Sequence, residues 1–161
     1  MHHPDVPDLR IVRADPSHAP TVHLLMRELA THEGSLAAAT TSEPRWRELL
    51  ERDEVTVLLA MVADEPAGYV SAVRKLHLWS GHDIVALDDL FVRAAFRNAG
   101  VGEALMRALA RRSDLPIRWE VEEGNLAGQR FYVRLGARLR RKVVAWWEPG
   151  ANDPPVRPPD A

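Results

Sequence analysis

The sequence predicts a mixed α/β domain, with antiparallel hairpins early in the chain and a βαβ crossover late. Three observations carry this. Val55–Val62 is a β-branched, apolar run, and the turn Asp64-Glu65-Pro66-Ala67-Gly68 separates it from a second run, Tyr69–Leu78. The turn Trp79-Ser80-Gly81-His82 then leads into a third run, Ile84–Val92. From Gly100 the apolar period changes from two to about 3.6, and helices and strands alternate.

Leu9–Arg13 alternates and reads as the first strand. A helix begins near Ser17, with Pro20 in its first turn and Val22, Leu25, Met26 and Leu29 on one face. A second, short helix begins near Ser42 and turns Trp46, Leu49 and Leu50 to one side. After the three central strands, Val101, Ala104, Leu105, Ala108 and Leu109 define a helix running to about Arg112. Pro116–Val121 is expected as a strand, Asn125–Leu135 as a helix capped by Gly136, and Ala137–Trp147 as a last strand.

The chain of 161 residues suits one domain, expected over residues 9–148, with an irregular segment at 1–8 and a Pro-rich tail at 149–161. The net charge of −2 argues against a dedicated nucleic-acid binder. Of the 21 basic residues 19 are Arg, and only Lys75 and Lys142 are Lys. With no cysteine, disulfides, thiolate metal sites and a cysteine nucleophile are excluded. The seven histidines show no metal-ligand spacing, so no metal is expected. The start, Met1-His2-His3-Pro4-Asp5, does not read as a signal peptide, and no stretch approaches the ~18 apolar residues of a membrane span. A cytoplasmic protein without a membrane partner is the expectation.

The most informative segment is Leu87-Asp88-Asp89-Leu90-Phe91-Val92-Arg93, followed by Ala94-Ala95-Phe96-Arg97-Asn98-Ala99-Gly100-Val101-Gly102. A strand ends, a basic loop follows, and glycines open a helix. Free amides at a helix N-terminus favour an anion, and glycine lets a phosphate approach the backbone. A Walker loop fails, because Glu103-Ala104 stands where Lys-Ser/Thr is needed. A dinucleotide fingerprint fails too, because Leu105 replaces its third glycine. What survives is Arg-x-x-Gly-x-Gly at Arg97–Gly102, a pattern that a mere strand-to-helix turn could also produce. Further on come Asn125, then Phe131-Tyr132 and Gly136-Ala137.

With these motifs the chain resembles the GNAT superfamily of acyl-CoA-dependent N-acetyltransferases over most of residues 9–147. The likeness is closest to the diamine and polyamine group: Leu87-Asp88-Asp89-Leu90-Phe91-Val92, Glu28–Glu33, Trp79-Ser80-Gly81 and Arg130–Ala137 resemble its segments. Two positions depart from that pattern: Asp88 stands for a Glu, and Gly124 for an aromatic residue. The resemblance implies the GNAT fold, a mixed, mostly antiparallel twisted sheet with helices on both faces. It implies acetyl-CoA as co-substrate, its pyrophosphate held by the amides of Arg97, Asn98, Ala99, Gly100, Val101 and Gly102, with Glu103 and Ala104 behind. The pantetheine arm would run along Leu90, Phe91 and Val92 and touch Asn125. Tyr132 would stand by the thioester sulfur.

The implied reaction is direct attack by a primary amine, a small di- or polyamine in the first instance. An aminoglycoside-like, amino-acid or protein N-terminal amine is the alternative within the enzyme class. A non-catalytic acyl-CoA sensor is the alternative outside it. An alkylamine has a pKa near ~10, so an acidic group must position the ammonium and take its proton. Asp88 and Asp89, adjacent on a strand, are expected on opposite faces. The resemblance favours Asp88 toward the substrate, acting through water; Asp89 is either a substrate contact or structural. A backbone N–H near Phe91 would stabilise the oxyanion. Tyr132, as general acid, would protonate the leaving thiolate; packing against Phe131 is its ordinary alternative. Glu33 and Trp79 are further candidate substrate contacts. The run Arg138-x-Arg140-Arg141-Lys142 reads as a guarded strand edge rather than a nucleic-acid patch. A homodimer is permitted by the last strand but not demanded.

Overall fold

Alternation along three central strands decides which helix covers which face of the sheet. The computed structural model describes residues 8–149. They divide into two compact units, with the boundary in the chain between Glu122 and Glu123. The irregular ends expected at 1–8 and 149–161 lie, apart from Asp8 and Pro149, outside the described residues.

The first unit holds one five-stranded sheet in the order β1-β2-β3-β4-β5. Strands β1 (Leu9–Arg13), β2 (Val55–Val62), β3 (Glu65–His77) and β4 (His82–Val92) pair antiparallel with their neighbours. β5 (Ile117–Arg118) runs parallel to β4, so the β4–helix–β5 passage is the expected crossover. Helix α1 (Ala19–His32) follows a short 3-10 turn whose N-cap, Asp15, accepts from the Ser17 N–H at 2.8 Å. Helix α2 (Glu43–Leu49) is capped by Ser42. Helix α3 spans Val101–Ser113.

Val57, Leu59, Tyr69 and Phe91 form one cluster with Ala19, Val22, Leu25 and Met26 of α1 and with Trp46 and Leu50 at α2. The intervening residues Leu58 and Val70 point the other way, toward α3, whose Val101, Leu105 and Leu109 are equally buried. Helices therefore cover both faces. Each fully buried Leu or Val contributes about 1.5–3 kcal/mol of apolar transfer.

The second unit contains helix α4 (Leu126–Arg134). Gly136, with φ +97°, ends it in the left-handed region, as the sequence predicts. Two expectations fail, one in each unit. The strand expected over Pro116–Val121 shrinks to Ile117–Arg118, and the strand expected over Ala137–Trp147 does not form a ladder. Alternation supplies a face to bury, but a strand also needs a neighbouring edge to satisfy its amides. Residues 137–148 find none among the described residues.

Candidate active site

The site begins with a break in strand register. Ser71 on β3 faces Asp89 on β4, but its neighbour Ala72 faces Leu87, so Asp88 is an extra residue with no partner of its own. This is a β-bulge, which breaks the alternation of side chains and re-aims them. Leu87 shares the side of Ala72, whereas Asp89 shares the α1 side with Ser71 and Tyr69. Asp88 senses the charges of Asp89 and Lys75, and Tyr69 senses both aspartates. The expectation that adjacent aspartates face opposite sides is thus corrected: the bulge puts both carboxylates on the α1 side of the sheet.

Their roles divide by hydrogen bonding. The Tyr69 hydroxyl donates to Asp89 Oδ2 at 3.1 Å, and Ser71 Oγ donates to the same oxygen at 3.4 Å. Tyr69 is fully buried. Burial first, then the Asp89 charge and hydrogen bond, with Glu33 and Asp88 adding, hold its phenol far above the ordinary value. Asp89 is therefore an anchored carboxylate. Asp88 lies at the exposed surface of the strand. Its carboxyl is raised above the usual 3.8 by the protein around it and by Asp89, with Lys75 opposing. Glu33 caps the end of α1, and its charge reaches the same Tyr69 hydroxyl. Asp89, Glu33 and Asp88 thus all act on the Tyr69 hydroxyl through their charge.

Beyond the bulge, β4 is half open. β5 pairs only with Val85 and Ala86, so no described strand covers that edge of Leu87–Val92. The Arg93 N–H donates to the Ala67 carbonyl at 2.9 Å, which fixes the alternation of hydrogen bonds. Phe91 then points its N–H at β3, and the open edge carries the N–H groups of Leu90 and Val92. An oxyanion donor near Phe91 must be one of its two neighbours. Gly68 makes this pairing possible: a Cβ there would lie 2.3 Å from the Phe91 carbonyl oxygen.

The chain leaves β4 through a 3-10 turn at Ala94–Phe96 and two left-handed residues, Asn98 (φ +60°) and Gly100 (φ +80°). Gly100 is the N-cap of α3, and no side chain caps that helix. With no side chain capping α3, its first main-chain amides have no side-chain partner at the cap, the arrangement that helix N-termini offer to anions. Arg97 donates from Nε to the Val92 carbonyl at 2.9 Å, tying the loop to the strand. Glu103, in the first turn, turns its carboxylate to Arg107 at 2.7 Å. Arg93, which the sequence suggests as a second loop cation, is engaged elsewhere. It grips Glu28 with two 2.8 Å bonds and the Pro66 carbonyl at 2.7 Å, joining α1 to the sheet.

Trp79 sits at the β3–β4 turn, 97% exposed. His82 opens β4 at that turn, and from there to Asp88 the strand advances about 20 Å, so the turn is not brought to the carboxylates. A 530 Å³ open groove along α1, lined by His23, Leu24, Arg27, Glu28 and Thr31, holds none of these carboxylates either. In the second unit, Asn125 Oδ1 accepts the Gly128 N–H at 2.9 Å, so this residue caps α4. Tyr132 is buried on α4 with its ring 5.1 Å from that of Phe131, and burial raises its phenol pKa.

Tyr69, Ser71 and Lys75 have no signal in the sequence that would have singled them out. They become site residues only through the register shift across from Asp89.

Comparison with known proteins gives the family and the fold. The profile of the Acetyltransferase (GNAT) family matches residues 23–137. A thialysine N-epsilon-acetyltransferase from Caenorhabditis elegans is 25% identical over 144 residues, covering 87% of this chain and 89% of that protein. Among solved structures, an aminoglycoside acetyltransferase from an uncultured soil metagenomic sample superimposes with a TM-score of 0.75 at 20% identity, covering 90% of this chain and all of the other. An aminoglycoside N-acetyltransferase in complex with CoA does so with a TM-score of 0.73 at 18% identity, over 88% and 95% of the two chains. With a family profile spanning the carboxylates, the open strand and the glycine turn, the chain belongs to the acetyltransferase (GNAT) family.

Proposed function

We propose that this acetyltransferase takes its acetyl group from acetyl-CoA and delivers it to a primary amine of a small di- or polyamine. The observation that carries the substrate class is the carboxylate pair Asp88 and Asp89 at the strand bulge, with Asp89 held by Tyr69 and Ser71 and the Glu33 charge also bearing on Tyr69. Several carboxylates whose charges act together suit a ligand with more than one ammonium. The related thialysine enzyme, whose name also specifies an aliphatic side-chain amine, supports the same chemistry.

Acetyl-CoA supplies a thioester-activated acetyl group. The amides of Arg97–Gly102 and the first turn of α3 are suited to its diphosphate, with Arg97 adding charge. The open edge at Leu90 and Val92 offers amides to an extended arm and to the oxygen that becomes negative during attack. The arriving ammonium must lose a proton before its nitrogen can attack. Asp88 accepts it through water, and its raised pKa makes it a better base than an ordinary aspartate. Asp89 stands beside it, fixed by the Tyr69 and Ser71 hydroxyls. As the nitrogen–carbon bond forms and the carbon–sulfur bond breaks, Tyr132 gives its proton to the departing sulfur. Burial keeps this phenol protonated at neutral pH.

The test combines calorimetry of acetyl-CoA with thiol release on diamines, polyamines, a lysine-like amino acid, an aminoglycoside and a peptide with a free N-terminus. The reading expects the highest kcat/KM on the di- and polyamines. Preference for the aminoglycoside or the peptide refutes the substrate class, and binding without turnover on any amine points to an acyl-CoA sensor. Tyr132→Phe is expected to lower kcat about 100-fold or more with cofactor affinity unchanged.

A further inference from the structure

The face of the sheet turned away from the aspartates carries a cavity of its own, with a volume of about 270 Å³. Its lining runs from Arg13 to Leu115 in the chain, so it belongs to the first unit alone. Strand alternation decides its charge. Leu58 points to α3, and so does Thr56 two residues before it. Arg13 pairs with Leu58, Thr56 with Ala72, and Arg74 with Val85, so all of these side chains share the α3 face. α3 ends there, and its last turns add Leu109, Arg112 and Ser113. Ala72, Val85 and Leu109 are buried and give the cavity an apolar floor. The three arginines are exposed and form its basic rim.

Two of these cations have no partner. Arg74 approaches Asp83 at 3.7 Å. Arg13 and Arg112 make no side-chain hydrogen bond or ion pair among the described residues, and neither does the Thr56 hydroxyl. Asp53, the acidic residue of the lining, is likewise unpaired among the described residues. Glu54 beside it is held by Arg52 at 2.7 Å. Guanidiniums thus outnumber carboxylates three to one in the lining, in a chain whose net charge is −2. Two guanidinium forks and a hydroxyl offer several donors at once, which suits the three terminal oxygens of a phosphate. The apolar floor suits a phosphate joined to a carbon skeleton.

We infer that this cavity binds a small phosphate monoester, its phosphate held by Arg13, Arg112 and the Thr56 hydroxyl and its apolar body laid on Ala72, Val85 and Leu109. The site is separate from the acetyl-transfer groups. Asp88 and Asp89 lie on the other face of the sheet, and the length of α3, about 18 Å, stands between Gly100 and Arg112. A ligand there ties the last turn of α3 to β1, so it stabilises the fold by mass action.

Phenyl phosphate is the probe. Calorimetry on the full-length protein is expected to show one site per chain, and the melting temperature should rise with probe concentration. Arg13→Gln combined with Arg112→Gln should weaken binding about tenfold or more. Arg111→Gln, which removes a neighbouring charge outside the lining, should leave binding unchanged, and so should Arg97→Gln at the glycine turn. Inorganic phosphate, which lacks the apolar body, and benzoate, which lacks the phosphate, should each bind about tenfold or more weakly than phenyl phosphate. The substituted side chains are exposed, and thermal unfolding without probe is the control for folding. No binding of phenyl phosphate at millimolar concentration overturns the site. An equal loss in Arg111→Gln overturns it as diffuse surface charge, and an equal loss in Arg97→Gln overturns it by placing the probe at the glycine turn. Benzoate or inorganic phosphate binding as tightly as phenyl phosphate overturns the ligand class.

Discussion

Replacing Tyr69 by Phe removes one oxygen atom from the floor of the site. The ring stays, and with it the edge contact to Phe91 at 6.4 Å between centroids. What is lost is the 3.1 Å hydrogen bond to Asp89, leaving that carboxylate with Ser71 at 3.4 Å as its side-chain donor among the described residues. A hydrogen bond to a charged group is worth about 1.5–3 kcal/mol. The hydroxyl is buried and its partner only part-buried, so the lower half of that range applies, about 2 kcal/mol. For a chain of this size the melting temperature should fall by about 4–8 °C. Calorimetric melting of Tyr69→Phe, Asp89→Asn and the double variant measures the coupling directly. If the tyrosine anchors Asp89, the two losses will not add. Additive losses, or an unchanged melting temperature for Tyr69→Phe, would refute the anchoring. In the acetyl-transfer assay the same variant should affect KM for the cationic amine more than kcat, because it unsettles a charge that holds substrate rather than one that takes a proton.

The other expectations concern the base, the turn and the frame. Asp88→Asn should lower kcat/KM by about 10²–10⁴. In the wild type the acid limb of the kcat/KM profile should lie above the ordinary aspartate value of 3.8, because partial desolvation by the surrounding protein and the Asp89 charge raise the Asp88 pKa. The sign for stability is the reverse of the usual carboxylate: a raised pKa means Asp88 favours the folded state when protonated, and that contribution is lost as pH rises through and above 3.8. Asp88→Asn should therefore flatten this loss in a pH series of melts. Gly100→Val forces a β-branched residue to φ +80° and should cost about 1–2 kcal/mol or more, with acetyl-CoA affinity by calorimetry falling as well. Arg93→Met breaks the double bond to Glu28 and should lower stability by about 2–3 kcal/mol in urea unfolding, with acetyl-CoA affinity affected less than by Gly100→Val. A larger affinity loss in Arg93→Met would mean that this guanidinium serves the ligand after all.

Local chemistry alone determined much of this protein. The β-branched run at Val55–Val62, the 3.6-residue period after Gly100 and the caps Ser42 and Gly136 specify their elements wherever the chain places them, because dihedral preference and amphipathic period act over a few residues. The glycine turn was equally legible, since a left-handed N-cap at that position needs glycine. Tertiary structure decided everything that depends on two strands meeting. The bulge that carries Asp88 and Asp89 to one side is a register shift against β3, and no local pattern encodes it. Tyr69 reads as one more strand residue until Asp89 faces it, and Arg93 reads as charge in a basic loop until Glu28 claims it. Ala137–Trp147 shows the limit from the other side: its pattern is that of a strand, but a strand exists only where an edge accepts its hydrogen bonds.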